Sequence, residues 1–312
     1  MLSTTSHAGE WRSLDYCPGC GERGVSGRTA LTRDHYNFLG ARVPLPQEGV
    51  DVVECSSCGL FYKTRVPTPE FLTEVFSSKA GIAWNDNYDF QAEKLKVSEL
   101  LNASNIDLLD IGPSNGALLH AFAGMTRRRS GLDLFMHPGL SENLQGEFIT
   151  GLLDEQVLEW GGEPYDVITV FDVFEHFYRP SDAFRNLSAL LKSGGYVILE
   201  TGNADSKWAQ SAGMDRWRYA NLFEHHVFWS PESIRYYADM YGFRLVESSE
   251  VDHKGWKSKS GVYKARQLLK YAMWKNVPRI YRVIADRLNE DGSIAPQIPY
   301  CNDHFSAVLC KQ

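Results

Sequence analysis

No apolar run in this 312-residue chain approaches the roughly 20 residues needed to cross a bilayer. The first ten residues, Met1 to Glu10, lack the charged stretch followed by an apolar one that marks an export signal. Cysteine is scarce, with six residues in all, and without an export signal that scarcity argues against a disulfide scaffold. These absences together predict a cytoplasmic protein with no transmembrane segment. Basic residues are outnumbered by acids, 32 to 39, and the net charge of −7 argues against general affinity for nucleic acid. Neither an internal repeat nor a low-complexity segment interrupts the chain. Hydrophobic residues make up 43%, enough for a core, and the length allows a full α/β domain plus a smaller module.

What cysteine there is comes mostly in pairs. Cys17-Pro18-Gly19-Cys20 and Cys55-Ser56-Ser57-Cys58-Gly59 are two Cys-x-x-Cys knuckles, and two such knuckles set four thiolates tetrahedrally around Zn²⁺. The 34 residues between Cys20 and Cys55 exceed a compact ribbon, so a loop is inserted, with Thr32 to Pro46 the candidate. His35 lies in it, either as a substitute ligand or as a surface histidine. Redox chemistry is the weaker reading, because neither pair opens a helix after a strand. A site of four thiolates is closed, so this zinc is expected to be structural. Cys301 and Cys310 have nothing beside them to complete a tetrahedron.

The most informative stretch is Leu108-Leu109-Asp110-Ile111-Gly112-Pro113-Ser114-Asn115-Gly116-Ala117. A short apolar run ends in an acid, crosses a turn of small residues and enters a helix. Open α/β sheets build a nucleotide-shaped crevice this way, at the carboxyl end of the first strand. Glycine suits the turn because it has no Cβ to obstruct a ligand that approaches the backbone. About twenty residues on, Ser130-Gly131-Leu132-Asp133 reads as a second strand end whose acid suits two ribose hydroxyls. Tyr165 to Phe171 reads as a buried parallel strand, followed by Asp172-Val173-Phe174-Glu175-His176. After Pro180 a helical run leads to Leu190-Leu191-Lys192-Ser193-Gly194-Gly195, and Tyr196 to Glu200 forms the next strand.

Asp-Ile-Gly-x-x-x-Gly, the later Gly-Leu-Asp, Glu-His before a proline and Leu-Leu-Lys-x-Gly-Gly, in that order, resemble class I S-adenosylmethionine (SAM) dependent methyltransferases. The resemblance covers residues of about 85 to 250 and the last strand, Phe305 to Cys310. It implies a Rossmann-like, mostly parallel seven-stranded sheet with SAM as cofactor. Gly112, Pro113, Ser114, Asn115 and Gly116 are then expected at the methionine end of SAM, with Asp110 beside the turn. Asp133 and Leu134 fall at the ribose, and Leu152, Leu153 and Asp154 border adenine. Phe171 and Asp172 fall near the cofactor, with Tyr88 reaching it from a lid. Ser114 stands where the family usually carries a glycine; its hydroxyl could bond the cofactor's carboxylate.

A zinc knuckle ahead of such a domain, with the tail Val53-Glu54-Cys55-x-x-Cys58-Gly59-Leu60-Phe61-Tyr62, is similar to the sugar methyltransferase branch. That branch acts on nucleotide-linked deoxysugars or on surface and secondary-metabolite saccharides. Its C-methylating members carry a further domain, whereas this sequence stops soon after Cys310, so O-methylation is the expectation and C-methylation the alternative. Glu224-His225-His226-Val227-Phe228-Trp229-Ser230 resembles the branch's Glu-His-x-x-aromatic-Ser element, which lies near the chemistry. His225 is the expected general base, oriented by Glu224, with His226 or His176 as partner or substitute. The opposing view is that these histidines only pack and face water. Asp172-x-x-Glu175-His176 offers another alternative, since ubiquinone-type O-methyltransferases use a similar acid-x-x-Glu-His for a divalent metal. Thr201-Gly202-Asn203 with Asp205 is expected to floor the substrate site.

The expected organisation is a zinc module over residues 1–70, a helical lid over 71–104 carrying Trp84, Tyr88 and Phe90, and a methyltransferase domain over 105–312. Within that domain, 254–290 reads as a basic helical insertion. From Lys254 to Arg287 ten basic residues face one acid, which puts +9 there and leaves −16 for the rest of a −7 chain. This stretch is either two surface helices with a solvated basic face or a contact for a diphosphate, an acidic glycan or an anionic membrane surface. The acceptor is expected to be a saccharide or another small molecule. A nucleic-acid methyltransferase is disfavoured, because the residues after the fourth strand are Phe171-Asp172-Val173-Phe174 rather than an amine-methylating Asn/Asp-Pro-Pro-Tyr. A non-catalytic zinc-stabilised adaptor is the remaining alternative.

Overall fold

A computed structural model describes residues 10–38, 41–77, 89–101, 104–137, 139–154, 162–253, 259–288 and 290–312. The expected lid residues Trp84 and Tyr88 lie outside the described residues. The chain divides into two compact units: Met1–Ala83, Asn203–Ser230 and Lys259–Asp303 form one, and Trp84–Gly202, Pro231–Ser258 and His304–Gln312 form the other.

The second unit is built on one seven-stranded sheet: β1 (Ile106–Ile111), β2 (Thr126–Asp133), β3 (Phe148–Thr150), β4 (Tyr165–Phe171), β5 (Leu191–Gly202), β6 (Phe243–Val251) and β7 (His304–Lys311). Their order across the sheet is β3-β2-β1-β4-β5-β7-β6. Pairings from β3 to β5 are parallel, and β7 runs antiparallel to both its neighbours. This is the Rossmann-like, mostly parallel sheet that the motifs imply. All six residues of β1 are buried, as expected for a central parallel strand covered on both faces. Helices Gln91–Leu101, Ala117–Ala121, Pro180–Leu190 and Pro231–Met240 follow the chain around it. Leu108, Leu118, Leu119, Phe122, Val167, Ile198 and Val308 form one core cluster. Elsewhere Phe184 stacks on Tyr237 at 5.5 Å. The strand order reverses between β1 and β4, so the carboxyl ends of those two strands open a crevice.

The first unit holds a four-stranded antiparallel sheet, in the order Val227–Phe228, Phe61–Lys63, Asp51–Cys55, Val25–Ala30. Its composition differs from the sequence expectation. Residues 203–230 and 259–303, expected within the methyltransferase domain, join the cysteine-bearing segment, and so does the helix Pro69–Ser77 expected in the lid. The reason is apolar packing. Trp208, Trp217, Phe223 and Phe228 are buried in one cluster with Tyr36, Phe38, Val52 and Phe71. Phe223 alone sits 5.6–5.9 Å from the rings of Phe71, Phe38, Trp11 and Tyr36. The basic insertion forms the expected helices, Gly261–Asn276 and Pro278–Arg287. Ser260 caps the first, accepting the N–H of Tyr263 at 3.2 Å, and Tyr271 seats it edge-on against Trp208 at 4.8 Å. Val262, Leu269, Ile280 and Val283 of these helices are more than half exposed.

Phe223→Ala is expected to destabilise the protein by about 3–5 kcal/mol, the usual result of emptying a buried aromatic site. Urea unfolding measures it. A loss below about 1 kcal/mol would mean that residues 203–230 are not part of this core.

Candidate cofactor and active site

Small residues shape the turn after β1 because the chain there is left-handed and crowded. Gly112 has φ 69°, Ser114 47° and Gly116 81°, conformations that favour glycine. A Cβ on Gly112 would lie 2.5 Å from Cγ2 of Val173. The Gly112 N–H donates to Leu132 O at 2.9 Å, which ties the turn to β2. Pro113 packs over Gly131, where a Cβ would meet its Cγ at 2.9 Å. Asn115 accepts the Ala117 N–H through Oδ1 at 3.1 Å, just ahead of the helix Ala117–Ala121. Asp110 is buried, and its carboxylate accepts the Thr169 hydroxyl at 2.7 Å, fixing the end of β1 against β4.

Asp133 stands at the end of β2. Its Oδ1 accepts the Leu134 N–H at 2.6 Å. Burial pushes its carboxyl up to about 6, opposed by the N–H groups of Leu134 and Phe135. Leu153 and Asp154 are buried next to the loop after β4 rather than open to solvent. The Asp154 carboxylate accepts the N–H groups of Tyr178 at 2.5 Å and Arg179 at 2.8 Å, and Leu153 O accepts from Asn186 at 2.7 Å. Leu152 is half-buried. Phe171 meets the ring of Phe90 at 5.9 Å.

Asp172 follows β4 with φ 54°. Its carboxylate lies 3.4 Å from Nε2 of His253 and 3.9 Å from Nε2 of His304. Sequence reading missed both histidines; the only signal was their place beside the ends of β6 and β7. Glu175 is buried and accepts the Thr201 hydroxyl at 2.8 Å, with the His176 ring 3.9 Å away.

Glu224, His225 and His226 belong to the first unit and are all buried. They occupy the turn between Tyr219–Asn221 and the edge strand Val227–Phe228. Lys63, also missed from sequence, grips this turn. Its Nζ donates to Leu222 O at 2.6 Å, and its N–H donates to His226 O at 3.0 Å. Burial drives the Lys63 amine well below its ordinary range, while Glu224 acts in the opposite sense. The His225 ring meets Tyr219 edge-on at 4.1 Å. In the same unit Cys17 and Cys58 sulfurs are 3.6 Å apart, Cys20 and Cys55 sulfurs 3.5 Å, and all four lie within 4.8 Å of one another. A metal–sulfur distance of about 2.3 Å gives a tetrahedral edge of roughly 3.8 Å. The quartet is therefore compatible with a zinc module.

The family pattern described as a methyltransferase domain matches residues 83–248, just over half of the chain. The chain belongs to that family, and its sheet unit is a SAM-dependent methyltransferase domain. The chain is also similar to the ubiquinone biosynthesis O-methyltransferases of Escherichia coli and Shigella boydii. Each is 28% identical over 107 residues, covering 32% of this chain and 44% of the relative. The chain thus spans under half the length of these curated relatives. Among solved structures, 1,6-didemethyltoxoflavin-N1-methyltransferase of Burkholderia thailandensis, with 1,6-didemethyltoxoflavin and S-adenosylhomocysteine bound, aligns with a TM-score of 0.51. It is 13% identical and covers 84% of this chain and 95% of that one. This likeness concerns the fold.

Gly112→Ala is expected to destabilise the protein by about 1–3 kcal/mol through the left-handed backbone alone, with the Val173 clash added. In a double variant, Val173→Ala should recover the steric part and leave the backbone part. Thermal unfolding of the three variants separates them; a Gly112→Ala protein as stable as the parent would refute this account of the turn.

Proposed function

We propose that this protein transfers the methyl group of SAM to a hydroxyl of a carbohydrate, a nucleotide-linked sugar or a surface or secondary-metabolite saccharide. The observation that carries the cofactor reading is the left-handed glycine turn closing β1 beside an acid closing β2. Bound SAM would supply an electrophilic methyl group on a sulfonium. The turn 112–116 would admit its methionine end to the backbone, and Asp133 would accept two vicinal ribose hydroxyls. The saccharide reading rests on the resemblance of the Val53–Tyr62 knuckle and of Glu224–Ser230 to the sugar methyltransferase branch. The partial likeness to ubiquinone O-methyltransferases favours a second reading, a phenolic small-molecule acceptor.

Displacement at a sulfonium methyl is in-line, so the protein aligns the acceptor and removes its proton. A sugar hydroxyl is a poor nucleophile at neutral pH and gains from a base. His225 is the base in this reading, on the segment that leaves β5 directly. Zn²⁺ held by Cys17, Cys20, Cys55 and Cys58 is structural, since four thiolates leave it no open position. The basic helices, with Val262, Leu269, Ile280 and Val283 exposed, are proposed to meet a diphosphate or an anionic surface, in a cytoplasmic setting.

Asp133→Ala is expected to weaken SAM binding by about 1.5–3 kcal/mol, the scale of a charged hydrogen bond. In the parent protein the affinity should fall as pH drops through about 6, where the Asp133 carboxylate takes a proton and loses the charge and one of the oxygens that accept from the two hydroxyls, and should be flat above. Calorimetry across pH reads both; pH-independent affinity, or an unaffected variant, would sink the ribose assignment.

His225→Ala should lose about 10²–10⁴-fold in turnover with SAM affinity nearly unchanged. The assay uses nucleotide-sugar and catechol-type acceptors side by side. Methylation of the phenols alone would establish the second reading, and normal turnover with His176→Ala inactive would move the base to His176.

A further inference from the structure

We propose that Asp172, His253 and His304 form a binding site for a divalent transition-metal cation, separate from the four cysteines. All three residues belong to the sheet unit. Asp172 directly follows β4, His253 comes two residues after β6, and His304 opens β7. The sheet itself brings them together. His304 pairs with Val251 on one side and Gly202 on the other, and the Asp172 N–H donates to Glu200 O on β5 at 2.9 Å. Ligands carried by strand ends are held more precisely than ligands on long loops.

One ligand atom from each residue lies within 4.8 Å of the others. The carboxylate approaches the two Nε2 atoms at 3.4 and 3.9 Å, and the imidazole rings are 4.8 Å apart, tilted by 52°. Around a cation with bonds of about 2.1 Å, neighbouring donors stand roughly 3.0–3.4 Å apart, so small side-chain rotations close the set. Two imidazoles and one carboxylate favour zinc, iron, cobalt or nickel over magnesium and calcium. Three protein ligands leave further positions for oxygen atoms. Asp172 also keeps a left-handed φ of 54° without being glycine, and such strain persists where the surroundings enforce it and often marks function. This set is not the acid-x-x-Glu-His arrangement that the sequence suggests. Among the described residues Asp172 clusters with His253 and His304, while Glu175 accepts from Thr201 and lies beside His176.

The site stands next to the glycine turn, because Val173, the neighbour of Asp172, is the side chain that would touch a Cβ on Gly112. A cation there would hold oxygen atoms of the acceptor; that role rests on the methyl-transfer reading, whereas the site does not.

The test uses the full chain with its cysteines already loaded with zinc, and neither SAM nor acceptor. Titration with Co²⁺ by calorimetry and visible absorption should give one further cation per chain, without thiolate-to-cobalt charge transfer. Asp172→Asn, His253→Ala and His304→Ala should each weaken it by at least about tenfold, the loss seen even for partners one shell further out. At the same Co²⁺ concentration the melting temperature of the parent protein should rise further than that of the variants. Circular dichroism confirms that each variant is folded, and the parent titration stands without them. Absence of a cation beyond the zinc, or a titration indifferent to all three substitutions, would overturn the proposal and leave a simple imidazole–carboxylate pair. Binding is read without turnover, so a failed methylation assay bears only on the function.

Discussion

The buried amine of Lys63 is the interaction on which the first unit's arrangement depends. Burial disfavours the charged form of this amine, and a buried amine in either form must find hydrogen-bond partners. Its compensation comes from one short segment of distant sequence: Leu222 O accepts from Nζ at 2.6 Å, and the charge of Glu224 favours the protonated form. Nζ also stands over the face of Tyr36, 4.5 Å from the ring centroid. Arg33, held near Asp291 at 3.6 Å, works against the Lys63 charge. The same stretch of chain then pairs with the strand Phe61–Lys63, where Val227 and Phe228 add an edge strand. Glu224 then has two calls on one carboxylate: the field of Lys63, and whatever orientation it gives to the histidines beside it.

A second constraint operates at the carboxyl ends of β1 and β4. The left-handed residues 112, 114, 116 and 172 all lie there, where the strand order reverses and the crevice opens. Three of these residues follow β1 and one follows β4, whereas β1 itself is buried along its whole length. The acids are divided in the same spirit. Asp110 and Asp154 are spent on the protein's own Thr169, Tyr178 and Arg179. Asp133 has one oxygen engaged by the neighbouring backbone and is held partly desolvated, as suits an acceptor for hydroxyl donors.

The features that could be read from sequence are local. The turn after β1 and the two cysteine knuckles each fit within about a dozen residues, and their spacing alone carries their geometry. The mostly parallel sheet followed from the resemblance those motifs carry; the order of its strands is seen only in the fold. The make-up of the units did not, because Trp208, Trp217 and Phe223 lie in a stretch with no helical or strand period, and their burial depends on partners more than a hundred residues away. The Asp172–His253–His304 cluster was hidden for a related reason. It arises only from the antiparallel register that sets Val251 and Gly202 against His304, and no short motif encodes a register.

The shared unit gives the cysteine quartet a reach beyond its own knuckles. Cys55 ends the strand Asp51–Cys55; Phe61–Lys63 pairs with that strand, and Val227–Phe228 pairs with Phe61–Lys63. The sulfur cluster is thus two strands from the turn that carries Glu224, His225 and His226. Two of these thiols resist ionisation without a metal: burial pushes Cys20 up to about 12, and the neighbouring Cys58 sulfur together with burial pushes Cys17 upward as well. A bound Zn²⁺ would reverse that preference, and its binding energy would become folding energy for the unit. The proposed base would then depend on a metal it never touches, whereas the glycine turn and Asp133, which belong to the other unit, would not.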